Sequence, residues 1–495
     1  MNKRFLHISR EKFPFSLIWV VSVILLCGVF AFAVVSPANA QNREQDVRRY
    51  TSMIQSIFDF IQRHYVEEVD PRVLYEGAMK GMLNSLEDPY SSFLAEAEMT
   101  DLNDTTQGSF GGVGLYISKP LGDRTDGKPP YVEVASPIED TPGWRAGISP
   151  GDLIIEINGE STDILTMDEV LAQLRGAPGV EVKLLIRRGE KLEFPVTLTR
   201  AIIEVPTTKY AMIGDIGYLR LITFTPMTVE RAQAALDEFQ ASNYKGLILD
   251  LRNNYGGLLQ SAVGIGDLFL EGGVVVSTKS RIPTENTVFN ARRAVAVPAD
   301  IPVIVLINRG SASASEIVAG ALKDRGRAYL VGEKSFGKGS VQQVYPLERF
   351  KLTTARYYTP SDVNIDKIGI PPDLEVTFPE FTDEDAEKLN ELIAANRIPA
   401  FVKENPAASR EAVNDFARRL SAEYQLDQPL LSRIIREEQN RTSIAPVYDL
   451  EYDVQLQEAV KILRGGTYAA LMRTTKTLKV LQEEASLEEA ASLAQ

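Results

Sequence analysis

Histidine and cysteine, which carry much of enzyme chemistry, are nearly missing. The chain has 495 residues but only two histidines, His7 and His64, and one cysteine, Cys27. Cys27 lies inside an apolar run near the N-terminus. The exported portion therefore has no disulfide, no thiol nucleophile and no cysteine metal ligand. His7 precedes the same run, so a two-histidine metal site cannot form within one mature chain. A Ser-His-Asp triad would have to use His64, in the amphipathic stretch "FIQRHYVEEVD", and nothing beside it supports that. Positive charge is also short: the formal net charge is −14, which disfavours nucleic acid as a partner. No repeat of fixed period is present. No cofactor or metal is expected, and any nucleophilic chemistry needs a lysine or a carboxylate as its base.

The first forty residues read as a targeting segment. Lys3, Arg4, Arg10 and Lys12 precede the apolar run from Phe15 to Val35, and "SPANAQ" follows with small residues at Ala38 and Ala40. This is the pattern of a secretory signal, although the run is long enough to span a bilayer. Two readings stay open: residues 1–40 are cleaved, or residues 15–35 anchor the chain in the inner membrane. Either places the protein outside the cytoplasm, in the periplasm or cell envelope. Leu26 before Cys27 fits a lipidation site poorly.

Beyond the leader the periodicity changes three times. Residues 41–100 read helical, as in "RRYTSMIQSIFDFIQRHY" and "PRVLYEGAMKGMLNSL". Residues 101–200 hold short strands, "GLYIS", "YVEVASPI", "GDLIIEING" and "VEVKLLIRR", and one short helix, "TMDEVLAQLRG", starting at Thr166 or Asp168. Residues 201–375 alternate strands with helices, and "IPVIVLINR" is apolar enough for a sheet buried on both faces. Residues 376–495 show four helical stretches and no strand, ending in a helix or frayed tail. The expected fold class is α/β and multidomain. A mixed α/β core carries an inserted small domain, an N-terminal helical segment and a C-terminal helical region without a module assignment. That last region could dimerise, dock a partner or brace the small domain.

Four stretches carry chemistry. In "INRGSASASEIVAGAL" a buried strand ends at Asn308 and a helix begins a few residues on. Such a junction sits at the carboxyl edge of an α/β sheet, where these folds place their sites. Free N–H groups at a helix start can also hold an oxyanion. Taken alone, the stretch is explained better by close helix–sheet packing with Ser313 or Ser315 as a cap. In "GEKSFGKGSVQQV", Lys338 lies between two glycines ahead of an alternating strand. A phosphate loop is excluded there. Gly339 stands where a Ser or Thr should ligand magnesium, and a strand follows where a helix is needed. A lysine whose pKa is lowered by burial can serve a serine as its base. Strand alternation would turn Lys338, Ser340 and Gln342 to one side, so Gln342 could orient the amine. In "LDLRNNYGGLL", glycines allow a backbone N–H to approach a ligand. The fourth stretch, "GGVGLYI", resembles the carboxylate-binding loop of PDZ domains, and "AGISPGDLIIEINGE" resembles the strand–turn–strand of the same domain.

Together these stretches resemble the C-terminal processing peptidases, or tail-specific proteases, over roughly residues 45–375. The motifs are "GAMKGMLNSLEDPYSSFL", "LDLRNNYGG", "GSASASEIVAGALKD", "VGEKSFGKGSVQ" and "YYTPSDVNIDKIGIPPD". The resemblance implies a serine endopeptidase with a Ser-Lys pair that cleaves exported proteins near their C-terminus. It implies Ser313 as nucleophile, Lys338 as base and Gln342 as third member. The oxyanion donors would be the amide of Ala314 and that of Gly256 or Gly257. A PDZ domain over 101–200 would hold the substrate's free C-terminal tail on Gly111, Gly112, Val113, Gly114 and Leu115. Arg175 either couples that domain to the active site or is a plain surface arginine. The family pattern is broken at Tyr255, where many relatives carry proline or glycine, and in "PSDVNIDKIGI", which lacks the usual glycines and basic residue. Two other readings compete. One is an inactive or gated PDZ scaffold for envelope proteins, and the other an acyl-transfer enzyme of different substrate class. Self-association is open. The expected partners are protein substrates.

Overall fold

The computed structural model describes residues 45–119, 130–138, 140–189, 192–292, 295–377, 383–441 and 446–493. The targeting segment lies outside them, and among the described residues no helix is long and apolar enough to cross a membrane. The chain divides into two units, residues 1–93 and 94–495.

In the first unit, helix 45–64 is followed by helix Pro71–Asn84. Asp70 starts the second helix by accepting the Arg72 N–H (2.8 Å), and Pro71 needs no N–H at the first helical position. His64 is exposed at the end of the first helix and packs on Phe60, with ring centroids 4.5 Å apart.

The second unit begins with a small domain. Its sheet runs Leu115–Ser118, Val132–Pro137, Leu153–Ile157, Glu181–Arg188, Leu192–Thr199, all antiparallel neighbours. Strand alternation buries Val182, Leu184 and Ile186 on one face, against Val132, Val134, Ile154 and Val170. Helix Met167–Leu174 closes this core. Its N-cap is Thr166, whose hydroxyl accepts the Glu169 N–H while the Glu169 carboxylate accepts the Thr166 N–H. Leu115–Ser118 is one of the two edge strands of the sheet.

The larger core is a six-stranded sheet in the order Thr208–Ile213, Ile216–Leu221, Gly246–Asp250, Val303–Ile307, Tyr329–Gly332, Leu374–Glu375. Only the first pair is antiparallel. The four inner strands are buried on both faces, which is why they are mostly apolar. Leu247, Leu249, Val305 and Ile307 meet helices Thr228–Ala241, Leu259–Phe269 and Ala314–Asp324. The alternate residues Tyr218, Ile248, Ile304, Leu306 and Val331 meet Leu456, Ala459, Val460 and Ile462 of helix Val454–Arg464. A second sheet joins Ser340–Tyr345, Phe350–Tyr358, Gly273–Ser280 and Thr287–Ala291. Three of its strands were not legible in the sequence.

The C-terminal region is not one helical body. Helices between 383 and 441 build their own core around Leu392, Val413, Phe416, Leu420 and Leu431. Residues 454–472 instead cover the main sheet, and Leu478 and Leu481 of helix Leu478–Leu493 pack with the helices on its other face. A boundary at 376 therefore separates a sheet from the helix that covers it.

Candidate active site

Strand Val303–Ile307 delivers the chain to a tight turn before helix Ala314–Asp324. The Asn308 carboxamide oxygen accepts from Gly310 N (3.0 Å) and from Asn253 N (2.9 Å). That second bond ties this turn to the loop after strand Gly246–Asp250. The three serines then part company. Ser311 Oγ donates to the Leu251 carbonyl and Ser315 Oγ to the Asn254 carbonyl, both at 2.8 Å, and both residues are fully buried. They hold the two loops together. Ser313 makes neither bond and keeps slight exposure (7%). Its backbone has φ 54° and ψ −111°, a conformation that costs about 1–3 kcal/mol and persists only where surroundings enforce it. A sharp strand-to-helix turn is also what exposes the nucleophilic serine of α/β-hydrolases.

Glu316 supplies the enforcement. It is fully buried, and its carboxylate accepts four hydrogen bonds. Oε2 takes Ser313 N (2.8 Å) and Lys338 N (2.9 Å), while Oε1 takes Ser335 Oγ (2.6 Å) and Gly337 N (2.7 Å). One oxygen therefore holds the backbones of the two residues predicted as nucleophile and base. Burial pushes the Glu316 carboxyl above the usual range, against the pull of the four donors. Further bonds stitch the lysine loop in place: Phe336 N to Ser311 O (3.0 Å), Lys367 N to Gly337 O (2.7 Å) and Gly339 N to Asp366 Oδ1 (3.2 Å). Lys338 is half-buried.

Alternation does not carry Lys338 and Gln342 on one strand. The strand starts at Ser340, after the lysine, and its pairing with Phe350–Tyr358 shifts between Val341 and Gln342. Gln342 does meet Ser340. Its Nε2 donates to Ser340 Oγ (2.9 Å) and to Thr353 Oγ1 (3.1 Å).

The sequence left Gly256 and Gly257 as alternatives. Gly256 is pressed against the serine turn: a Cβ there would lie 2.8 Å from Ser313 Cβ and 3.0 Å from Ala314 N. Its own N–H, however, donates to Asn254 Oδ1 (2.9 Å). The N–H groups of Gly257 and Ala314 meet no acceptor among the described residues.

Tyr357 is a site residue that sequence reading missed. It is buried, its N–H donates to the Gly339 carbonyl (2.7 Å) beside Lys338, and burial pushes its phenol up to about 12 while the nearby Ser313 side chain pulls the other way. "RYYTP" was visible as a motif, but the strand that presents this tyrosine was not. Glu316 was also missed as a site residue, although S-x-x-E before an apolar run is a capping-box signal.

In the small domain, Gly111 and Gly112 are strand residues, in Ser109–Gly112, which pairs with Ala201–Glu204. The Gly111 carbonyl accepts Gly176 N (3.0 Å), and the buried Val113 carbonyl accepts Gly143 N (2.8 Å). Gly114 has φ 75°, and a Cβ there would lie 2.2 Å from Thr141 Cβ. Leu115 opens the edge strand. Arg175 is half-buried. Its guanidinium lies 5.1 Å from the Phe110 ring centroid and 3.8 Å from Asp104 Oδ2.

Comparison with known proteins gives the family. Residues 215–376 match peptidase family S41, residues 133–188 the PDZ domain, and residues 32–98 the N-terminal domain of the activating protease CtpB. A carboxy-terminal-processing protease of Bartonella bacilliformis is 41% identical over 368 residues, spanning 72% of this chain and 82% of that protein. The chain belongs to the carboxy-terminal-processing proteases of peptidase family S41. A carboxyl-terminal-processing protease of Synechocystis sp. is 37% identical over 312 residues, covering 61% of this protease and 71% of that one. Among solved structures, the photosystem II D1 C-terminal processing protease is 29% identical with a TM-score of 0.40. It covers 66% of this protease and 92% of its own chain. The protease is thus a serine hydrolase carrying a PDZ domain, and proteins are its substrates.

Proposed function

We propose that the protease cuts exported proteins near their C-terminus with Ser313 and Lys338, and that its PDZ domain reads the substrate's free tail. The observation that carries this reading is the Glu316 carboxylate, whose Oε2 accepts from both Ser313 N and Lys338 N. In the reaction, Ser313 Oγ attacks the scissile carbonyl carbon while its proton passes to the unprotonated Lys338 amine. The N–H groups of Ala314 and Gly257 receive the oxyanion. Lys338 then returns the proton to the leaving amine as the C–N bond breaks. Water attacks the acyl-enzyme, Lys338 takes its proton, and Ser313 leaves as the alcohol. The amide nitrogen of Gln342 is spent on Ser340 and Thr353, which fixes the amide and leaves Oε1 as acceptor for the lysine ammonium.

For tail reading, the carboxylate goes to the turn at Val113–Leu115 and the peptide adds to the edge strand Leu115–Ser118. Arg175, held by Asp104 and Phe110, joins this domain to helix Glu96–Gln107. The basic and apolar leader places the reaction in the cell envelope, with residues 15–35 as signal or anchor. The test is cleavage of an unfolded protein with an apolar C-terminal tail, wild type beside Ser313→Ala and Lys338→Ala. Loss of cleavage in both variants is expected. If Lys338→Ala still cuts, the base is assigned wrongly. If nothing cuts but the tail binds, the gated or scaffold reading replaces this one.

A further inference from the structure

Strand Gly246–Asp250 runs into the loop that carries Gly256 and Gly257, and two residues past its end Arg252 points into the protein. All five N–H donors of this guanidinium are used. Nε donates to Asp250 Oδ1 (3.0 Å), and Nη2 to Asp250 Oδ2 (2.6 Å). On the other side Nη2 reaches Asp453 Oδ2 (2.7 Å), and Nη1 reaches Asp453 Oδ1 (2.8 Å) and Gln455 Oε1 (3.0 Å). Asp250 is fully buried and also accepts the Tyr218 hydroxyl (2.7 Å). Burial opposes its charge, but the Arg252 guanidinium holds its carboxyl below the usual range. Asp453 also caps helix Val454–Arg464 by accepting Leu456 N (2.9 Å).

The loop beyond Arg252 has little freedom left. Asn254 donates from Nδ2 to Leu221 O and accepts Gly256 N at Oδ1, both at 2.9 Å. Its carbonyl accepts Ala312 N (3.0 Å) and Ser315 Oγ (2.8 Å). A continuous set of bonds therefore runs from the start of a C-terminal helix, through Arg252, to the glycines beside Ser313. Holding that helix on the sheet does not require it, because Leu456, Ala459, Val460 and Ile462 already bury an apolar face there. A buried ion pair is a poor source of stability compared with apolar packing. What a bidentate fork gives is fixed geometry.

We propose that Asp453 is a positioning residue for peptide-bond cleavage, acting through Arg252 to set the Asn253–Gly257 loop against Ser313. The proposal rests on Ser313 being the nucleophile. It makes the C-terminal segment part of the catalytic machinery, some two hundred residues from the loop it controls.

The test uses the full chain and an unfolded protein substrate with an apolar tail, read as kcat and KM separately. Asp453→Ser keeps a helix cap but loses the fork. It is expected to lower kcat by about tenfold or more with KM changed less than about twofold. Asp453→Asn, nearly isosteric, should fall between it and wild type, and stands in if the serine variant does not fold. The double variant Arg252→Lys/Asp453→Ser should lose no more than the worse single variant, because the two residues act as one path. The proposal is overturned if folded Asp453→Ser and Asp453→Asn keep wild-type kcat, or if the two losses multiply. Ser313→Ala, run alongside, separates the levels. If it still cuts, the nucleophile assignment falls; if it is dead while the Asp453 variants match wild type, only the positioning role falls.

Discussion

Replacing Glu316 with glutamine tests the centre of the site. The carboxylate accepts two hydrogen bonds on each oxygen, all from donors. A carboxamide in its place would keep one acceptor and turn an NH2 group toward two donors. Hydrogen bonds to a buried charged group contribute about 1.5–3 kcal/mol each, so losing two costs about 3–6 kcal/mol. Relief from burying a charge offsets part of this. A net loss of about 2–4 kcal/mol is expected in urea unfolding, visible as a lower midpoint at unchanged slope. The larger effect falls on turnover. With Ser313 N released, the turn can relax from its costly φ,ψ, and a loss of about 1–3 kcal/mol in transition-state positioning is roughly a 5–150-fold fall in kcat. Ser335→Ala, which removes one donor and leaves the carboxylate, should cost much less in both assays. Glu316→Gln with wild-type stability and wild-type kcat would refute the reasoning.

Acid should separate activity from folding at the same residue. Glu316 has a raised folded-state pKa, so its own contribution to stability is greatest below the ordinary Glu value, about 4.3, and is lost as pH rises through the folded value. Activity has the opposite sign, since an O–H on Glu316 would face donors only. Hence kcat should fall as pH drops through a value above the ordinary carboxylate range while the protein stays folded; a pH profile of kcat beside circular dichroism checks this. Tyr357→Phe should lower kcat by about three- to tenfold through loss of the hydroxyl beside Ser313, without altering the pH profile below about pH 11, because burial pushes the phenol up to about 12. Ser311→Ala and Ser315→Ala should each cost about 1 kcal/mol in unfolding free energy and remain active, whereas Ser313→Ala should unfold normally and be inactive. Gly114→Ala, which places a Cβ 2.2 Å from Thr141 Cβ, should weaken tail binding in a titration with a C-terminal peptide while Ser313 still reacts with a small serine-directed phosphonylating reagent.

Much of this was readable because local chemistry and periodicity are one-dimensional. The shortage of histidine left a lysine or a carboxylate as the base, the apolar runs at 246–250 and 303–307 pointed to a doubly covered sheet, and Thr166 marked a helix start. Among the strands that escaped are Gly273–Ser280, Thr287–Ala291 and Phe350–Tyr358. They belong to a sheet partly exposed to solvent, whose mixed burial blurs any alternation. The helical pattern of residues 454–464 was also plain. The surface it covers was not, because a helix's apolar face does not name its partner.

The sequence by itself determined the inventory of the site: three serines in one turn, a lysine between glycines, and a carboxylate three residues after the central serine. Tertiary structure decided what each of them touches. Ser311 and Ser315 lose their freedom to carbonyls on a neighbouring loop, and Gly256 loses its N–H to Asn254. Glu316 gathers backbone donors from two distant segments, and Arg252 finds Asp453. Most of these outcomes are hydrogen bonds between residues far apart in the chain. Such bonds depend on where strands end in space, and residue order does not state that.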